Sequence, residues 1–291
     1  MITDKEFCGS NKLKQMFFEL IDANRLPQSI LLCGEDGLGR NLFARLIARD
    51  YLDDKNGLSL RHVHPDCLEV RGSGASGEIS VDSIRAVSYE VHKASIMTDM
   101  RRVVVIEDAK NLNAGSSSAL LKTLEQPPGG VVFLLTVSSE TDVIETIRSR
   151  CVTFSITPPS IAASIEYILR LRPEKSEEEN IREYCNLLKG RIGYVLKALD
   201  SEDFKQTLLI ANEFANSCFT GDELLMCSAL DKAENRKHLL EILNLSVFCL
   251  AKNGISTRMT KAVKVIETSK NMLLRNLSPP LFSAVLISQI V

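Results

Sequence analysis

Val103-Val-Val-Ile106 is a run of four β-branched residues with no polar residue between them. A strand with one face in water alternates apolar and polar side chains. An unbroken run instead suits a parallel strand covered on both faces by helices. That requirement constrains the surrounding chain, which must supply further buried strands and the helices that cover them.

The flanks supply both. Ser29-Ile-Leu-Leu-Cys33 is a short apolar run that ends in a glycine loop. Asn41 to Leu52 carries Leu42, Phe43, Leu46 and Ile47 at helical spacing. Cys67 to Val70 reads as a strand, and Val81, Ile84, Val87 and Val91 mark one helix face. Ser116 to Glu125 reads as a helix stopped by Pro127-Pro128, because proline lacks an amide proton and clashes with the preceding turn. Val131 to Val137 is a second buried run. Asp142 to Ser149 is helical with Asp142 as its N-cap, and Cys151 to Ile156 is the last strand. Alternating elements of this kind predict an α/β fold with a parallel sheet.

Pro158-Pro159 breaks the pattern. Residues 159–200 read as short helices of a small lid, with a solvated charged stretch at Glu174 to Glu179. Residues 201–291 are helical by pattern, as in Leu239, Leu240, Ile242, Leu243 and Val247. The division expected is therefore 1–158, 159–200 and 201–291. Gly72-Ser-Gly-Ala-Ser-Gly77 follows only a short strand and reads as a loop.

The formal net charge is -2. A protein that held DNA alone through phosphates would be clearly basic, so DNA contact is local or shared with partners. The eight cysteines form no C-x-x-C pair, which points to structural thiols and away from zinc or redox chemistry. The opening MITDKEF has no signal-peptide pattern, and no apolar stretch reaches the roughly 18 residues of a membrane span. A cytoplasmic location is expected.

Gly34-Glu-Asp-Gly-Leu-Gly-Arg40-Asn41 stands between an apolar strand and a helix. That is the setting of the phosphate-binding loop G-x-x-x-x-G-K-[ST], in which Gly34, Gly37 and Gly39 would let backbone amides converge on phosphate. Arg40 replaces the lysine, and Asn41 replaces the hydroxyl that would ligate Mg²⁺. The buried run ends in Glu107-Asp108, an acidic pair in reversed order, which moves each carboxylate by about one methylene. Three readings stay open here: ATP turnover, ATP held without turnover, and an empty vestigial loop, which the departures favour.

Ala119-Leu-Leu-Lys-Thr-Leu-Glu-Gln-Pro-Pro128, Phe133-Leu-Leu-Thr136 and Thr146-Ile-Arg-Ser-Arg-Cys151 together resemble the clamp-loader branch of the AAA+ ATPases. His64-Pro-Asp66 and Val81-Asp-Ser-Ile-Arg85 are similar to it as well, and the likeness runs over about residues 10–200. Within that branch the sequence sides with the delta-prime subunits of the bacterial DNA polymerase III loader. The loop is degenerate, the four-cysteine zinc module common in the family is missing, Val137 stands at the sensor position between Thr136 and Ser138, and Gly193 replaces an arginine in Gly190-Arg-Ile-Gly193. No zinc and no bound cofactor are expected.

The resemblance implies an AAA+ domain, a helical lid and an all-helical collar. It implies a pentameric ring with gamma/tau-like motor subunits and a delta wrench subunit, acting on a sliding clamp and primed DNA. Ser149-Arg150-Cys151 resembles the motif whose arginine reaches the ATP of the neighbouring subunit, so the implied catalytic residues are Arg150, as the finger in trans, and Ser149 beside it. Two rivals remain at this point: an active gamma/tau-like motor of the same ring, and a P-loop nucleoside kinase.

Overall fold

The computed structural model describes residues 1–73, 77–93, 95–97, 101–173, 178–252, 257–274 and 277–291. The glycine-rich stretch 72–77 and the charged stretch 174–179 thus lie partly outside the described residues. The chain divides into two compact units, one of Met1–Ala163 with Arg191–Gly193, the other of Ser164–Gly190 with Tyr194–Val291.

In the first unit five strands form one sheet in the order β2-β3-β4-β1-β5. They are β1 (Ser29–Cys33), β2 (Cys67–Val70), β3 (Arg102–Ile106), β4 (Val131–Val137) and β5 (Val152–Ser155). All pairings are parallel, with Ser29 opposite Phe133, Arg102 opposite Val131 and Ile30 opposite Val152. The helices of this unit are α1 (Asn11–Asp22), α2 (Arg40–Leu52), α3 (Val81–Glu90), α4 (Ala114–Glu125) and α5 (Glu145–Arg148).

The unbroken apolar runs have the cause the sequence implied. Ile30, Leu32, Val103, Val105, Val132 and Leu134 face one side and pack with Phe17 of α1 and Phe43, Leu46 and Ile47 of α2. Leu31, Val104, Ile106, Phe133 and Leu135 face the other and pack with Ile84 of α3, Leu120 and Leu124 of α4, and Ile147 of α5. In β1, β3 and β4 each residue is buried whichever way it points, and each such apolar side chain contributes about 1.5–3 kcal/mol.

One local reading is corrected. Asp142 is not the N-cap of a helix from 142 to 149. Ser139 caps a 3₁₀ turn over Glu140–Asp142, and Asp142 closes its capping box by accepting from the Ser139 amide at 2.8 Å. Helix α5 starts at Glu145, after Ile144, whose side chain makes no capping bond. The Ser139 hydroxyl sits nearer the strand end and takes the capping role first.

The second unit contains most of α6 (Ile161–Leu171), then α7 (Glu178–Leu187), most of α8 (Ile192–Asp200), α9 (Glu202–Thr220), α10 (Glu223–Leu230), α11 (Arg236–Lys252), α12 (Thr257–Leu274) and α13 (Pro279–Ile290). Helix α9 packs against both α10 and α11, and α12 packs against α11 and α13. Phe204, Phe214, Met226, Leu239, Leu243, Ile266, Phe282 and Leu286 are buried. Ser201 caps α9 and Asp222 caps α10. All eight cysteines are free thiols.

Candidate functional site

Parallel register brings the carboxyl ends of β1, β3 and β4 side by side, the place where open α/β sheets present their binding groups. The loop Gly34–Gly39 leaves β1 there, Glu107 and Asp108 leave β3, and Thr136 lies at the end of β4. Gly37 and Gly39 have φ of 83° and 80°, a region side chains avoid, so the turn into α2 needs both glycines. Asp108 is also left-handed, at φ 50°.

The sequence places a cation at Arg40, and the structure shows what that cation does. Its Nη1 donates to the Gly34 carbonyl at 3.0 Å and to Asp36 Oδ1 at 2.6 Å. Its Nη2 pairs with Asp108. Both terminal nitrogens are therefore engaged by the protein, and only Nε at the stem lacks a partner. Burial opposes the charge on Arg40, but the Asp108 and Asp36 carboxylates outweigh it and hold the guanidinium above its ordinary pKa. Burial likewise opposes the charge on Asp36, and Arg40, with Lys110 and Ser138, overrides it and keeps this carboxyl below its ordinary value.

Asn41 is engaged as well. Its amide nitrogen donates to Glu107 Oε2 at 3.4 Å, and its oxygen accepts from Thr136 Oγ1 at 2.7 Å. Thr136 Oγ1 in turn accepts from the Asp108 amide at 3.0 Å. Thr136, rather than Val137, is thus the β4 residue that reaches the loop; Val137 points into the core. Glu107 pairs with Arg45, one turn along α2 from Asn41, and with Arg71 Nε at 3.1 Å. The same two arginines hold Glu69, at 3.2 Å and 2.6 Å, and His62 joins it.

The segment Arg191–Gly193 closes on this loop. Arg191 pairs with Glu35, and the Gly193 amide donates to the Gly37 carbonyl at 2.8 Å. A Cβ at Gly193 would stand 3.0 Å from that oxygen and 3.3 Å from the Gly37 Cα.

These contacts decide the fit of nucleotide and Mg²⁺. A phosphate-binding loop needs an uncommitted cation and a hydroxyl for the metal. Here the cation is paired twice, the hydroxyl position is an amide bonded on both ends, and both acidic side chains hold arginines. The residues present do not fit the group. Among the described residues no cluster of three or more His, Cys, Asp or Glu is placed to hold a metal ion, and no helix is long and apolar enough to cross a membrane.

Gly34, Gly37, Gly39, Arg40, Asn41, Glu107 and Asp108 therefore converge, as their spacing implied. Asp36, Arg45, Glu69 and Arg71 were missed. Arg45 had a signal, being four residues after Asn41 on the same helix face. Ser149 and Arg150 stand apart from this cluster, at the end of α5. Ser149 Oγ and Arg150 Nη1 both donate to the Thr146 carbonyl, at 3.1 Å and 2.9 Å, and Arg150 Nη2 pairs with Glu125 at 2.5 Å.

A sequence profile of the family described as DNA polymerase III, delta subunit, matches residues 9–160. The chain belongs to this family. It is 36% identical over 116 residues to the DNA polymerase III subunit delta' of Pseudomonas aeruginosa, covering 40% of this chain and 35% of that protein. It is 25% identical to the delta' subunit of Escherichia coli over 62% of this chain and 54% of that one. The gamma/tau subunit of Mycoplasma genitalium is 22% identical over 95% of this chain and 51% of its own length. The chain thus spans roughly a third to a half of these relatives. The fold is similar to that of a DNA polymerase III gamma subunit-related protein of Thermotoga maritima, with a TM-score of 0.56 at 15% identity, covering 94% of this chain and 99% of that one.

Proposed function

We propose that the chain is a clamp-loader subunit of the DNA polymerase III kind, a stator without ATPase activity of its own that lends Arg150 to ATP on a neighbouring motor subunit. The observation that carries the inactive reading is the state of Arg40. A cation already paired with Asp36 and Asp108 has no spare charge for a γ-phosphate. Asn41 offers no hydroxyl to a metal, and a sensing side chain at Gly193 would crowd the Gly37 backbone.

The observation that supports the finger is the contrast at Arg150, which lies beyond a short helix and is partly open to solvent. A guanidinium there can stabilise charge building on a phosphoryl group held by another chain. In this reading residues 1–158 are the nucleotide-binding-like domain, 159–200 the lid and 201–291 the collar that joins a five-membered ring. The ring holds gamma/tau-like motors and a delta subunit, and opens a sliding clamp for primed DNA.

The test is ATP binding and hydrolysis by the isolated chain. The expected result is no hydrolysis above a buffer blank and no saturable Mg-ATP binding. Turnover that disappears when Arg40 is replaced would overturn the reading and favour a gamma/tau-like motor.

A further inference from the structure

The finger reading leaves one residue of the Leu124-Glu-Gln-Pro-Pro128 motif without a task. Glu125 is the last residue of α4, where the helix dipole is negative and disfavours a carboxylate. Helix stability therefore gives no reason for an acid at this position. Its Oε1 accepts from Arg150 Nη2 at 2.5 Å, while Arg150 Nη1 donates to the Thr146 carbonyl at 2.9 Å. The guanidinium is held by two elements at once, the end of α4 and the body of α5. The backbone beneath it is fixed: Ile147 is fully buried, the Arg150 amide donates to the Ile147 carbonyl at 3.1 Å, and Cys151 packs against the core.

The pair itself is open. Arg150 is 34% exposed and Glu125 51%. The geometry points to Glu125 as a positioning residue, the ground-state counter-ion that holds the Arg150 guanidinium at the end of α4 and yields it to a polyphosphate presented by another chain. This rests on the finger reading above. A guanidinium neutralised by a carboxylate stabilises little new negative charge, so it must exchange partners to act. A phosphoryl group with more charge and three acceptor oxygens wins that exchange, because an exposed ion pair is weakly held. Meanwhile the counter-ion keeps a long side chain from sampling other rotamers.

The experiment measures ATP hydrolysis by the reconstituted loader carrying wild-type chain, Glu125→Gln, Arg150→Ala, or both. Glutamine keeps the size and the acceptor oxygen and removes the charge. The expected result for Glu125→Gln is an unstimulated rate raised roughly two- to five-fold at the one site Arg150 serves, the range an exposed ion pair supports, and a smaller rise in the total over all sites. The rise should shrink at high salt, where the pair is already screened. In the Arg150→Ala background Glu125→Gln should change nothing. If Arg150→Ala lowers turnover while Glu125→Gln equals or falls below wild type, the counter-ion role is overturned and the finger stands. If Glu125→Gln shifts both backgrounds equally, it acts through structure and the inference fails. Unchanged turnover with Arg150→Ala removes the finger and this inference together.

Discussion

Arg40 and Arg150 each adjoin a helix end in the same unit, yet they are held in opposite ways. The Arg40 side chain is 9% exposed and bonded to two carboxylates and a carbonyl. Arg150 is 34% exposed and bonded to one open carboxylate and a carbonyl. Drawing Arg40 toward a ligand would strand Asp36 and Asp108 without their cation. Drawing Arg150 away leaves Glu125 in water. The difference is one of commitment: a buried, multiply paired arginine is part of the fold, and an exposed, singly paired one is available to another molecule.

The largest effect that would sharpen this contrast is on rate. Arg150→Ala should slow hydrolysis at the one neighbouring site it serves by about 10³–10⁵-fold. In the proposed ring, turnover of the whole reconstituted loader should fall only in part, since the other sites would keep their own arginines. Arg150→Lys should rescue poorly, because a point charge does not reproduce the planar fork. Full turnover and clamp loading with Arg150→Ala would leave Arg150 as a surface ion pair.

The next effect is on stability and runs the other way. Arg40→Ala should lower the unfolding free energy of the isolated chain by about 2–3 kcal/mol, short of the full cost of breaking a buried pair because its two acids are partly solvated. Arg150→Ala should cost at most about 1 kcal/mol. Thermal or denaturant unfolding of the two variants checks this. Equal losses would break the comparison, because Arg40 would then be no more committed than Arg150.

The sheet was largely legible because buried parallel strands leave a signal that survives without context. Val103–Ile106 and Val131–Val137 read as strands from composition alone, and both are covered on two faces. The glycine loop was legible in place but not in state. Arg40 for lysine and Asn41 for a hydroxyl are changes of letters; that both are consumed by Asp36, Asp108, Glu107 and Thr136 depends on register between β1, β3 and β4. Arg71 is 36 residues from Glu107 in the chain and meets it only because β2 lies beside β3. Val137 was the sensor position by count, yet strand alternation turns it into the core and presents Thr136 instead. The α5 start was misplaced because two candidate caps, Ser139 and Asp142, stand three residues apart and belong to the same box.

A smaller effect tests whether the loop can be repaired. Gly193→Arg puts back the arginine that the resemblance implies in active relatives. Its Cβ would press on the Gly37 carbonyl at 3.0 Å and its Cα at 3.3 Å, both backbone atoms with little freedom. The expected outcome is a loss of about 1–3 kcal/mol, as for other overpacked sites, with no gain in ATP binding. A variant that unfolds like wild type and binds Mg-ATP would show that the loop is held open by one residue, and the contrast with Arg150 would weaken.

The smallest effect concerns acid. Arg40 holds the Asp36 carboxyl below its ordinary value of 3.8 against the opposing pull of burial. A carboxyl with a lowered folded-state pKa contributes stability that is fully present above its unfolded value and is lost as pH falls through the folded one. The pair's contribution should thus hold from neutral pH down to about 4 and fade below it. Glu6, paired with Arg49, and Asp54, which accepts from the Ser59 amide, are lowered too, so the wild-type chain has several such contributions. Arg40→Ala removes one of them. The difference in melting temperature between wild type and Arg40→Ala should therefore be constant from pH 7 to about pH 4 and narrow below it. Asp36 is 43% exposed on its side chain, so water screens the pair and the narrowing is small. A difference that stays constant down to the acid limit of folding would mean that the charge on Asp36 contributes nothing through Arg40, and that Arg40 acts through packing and its bond to the Gly34 carbonyl.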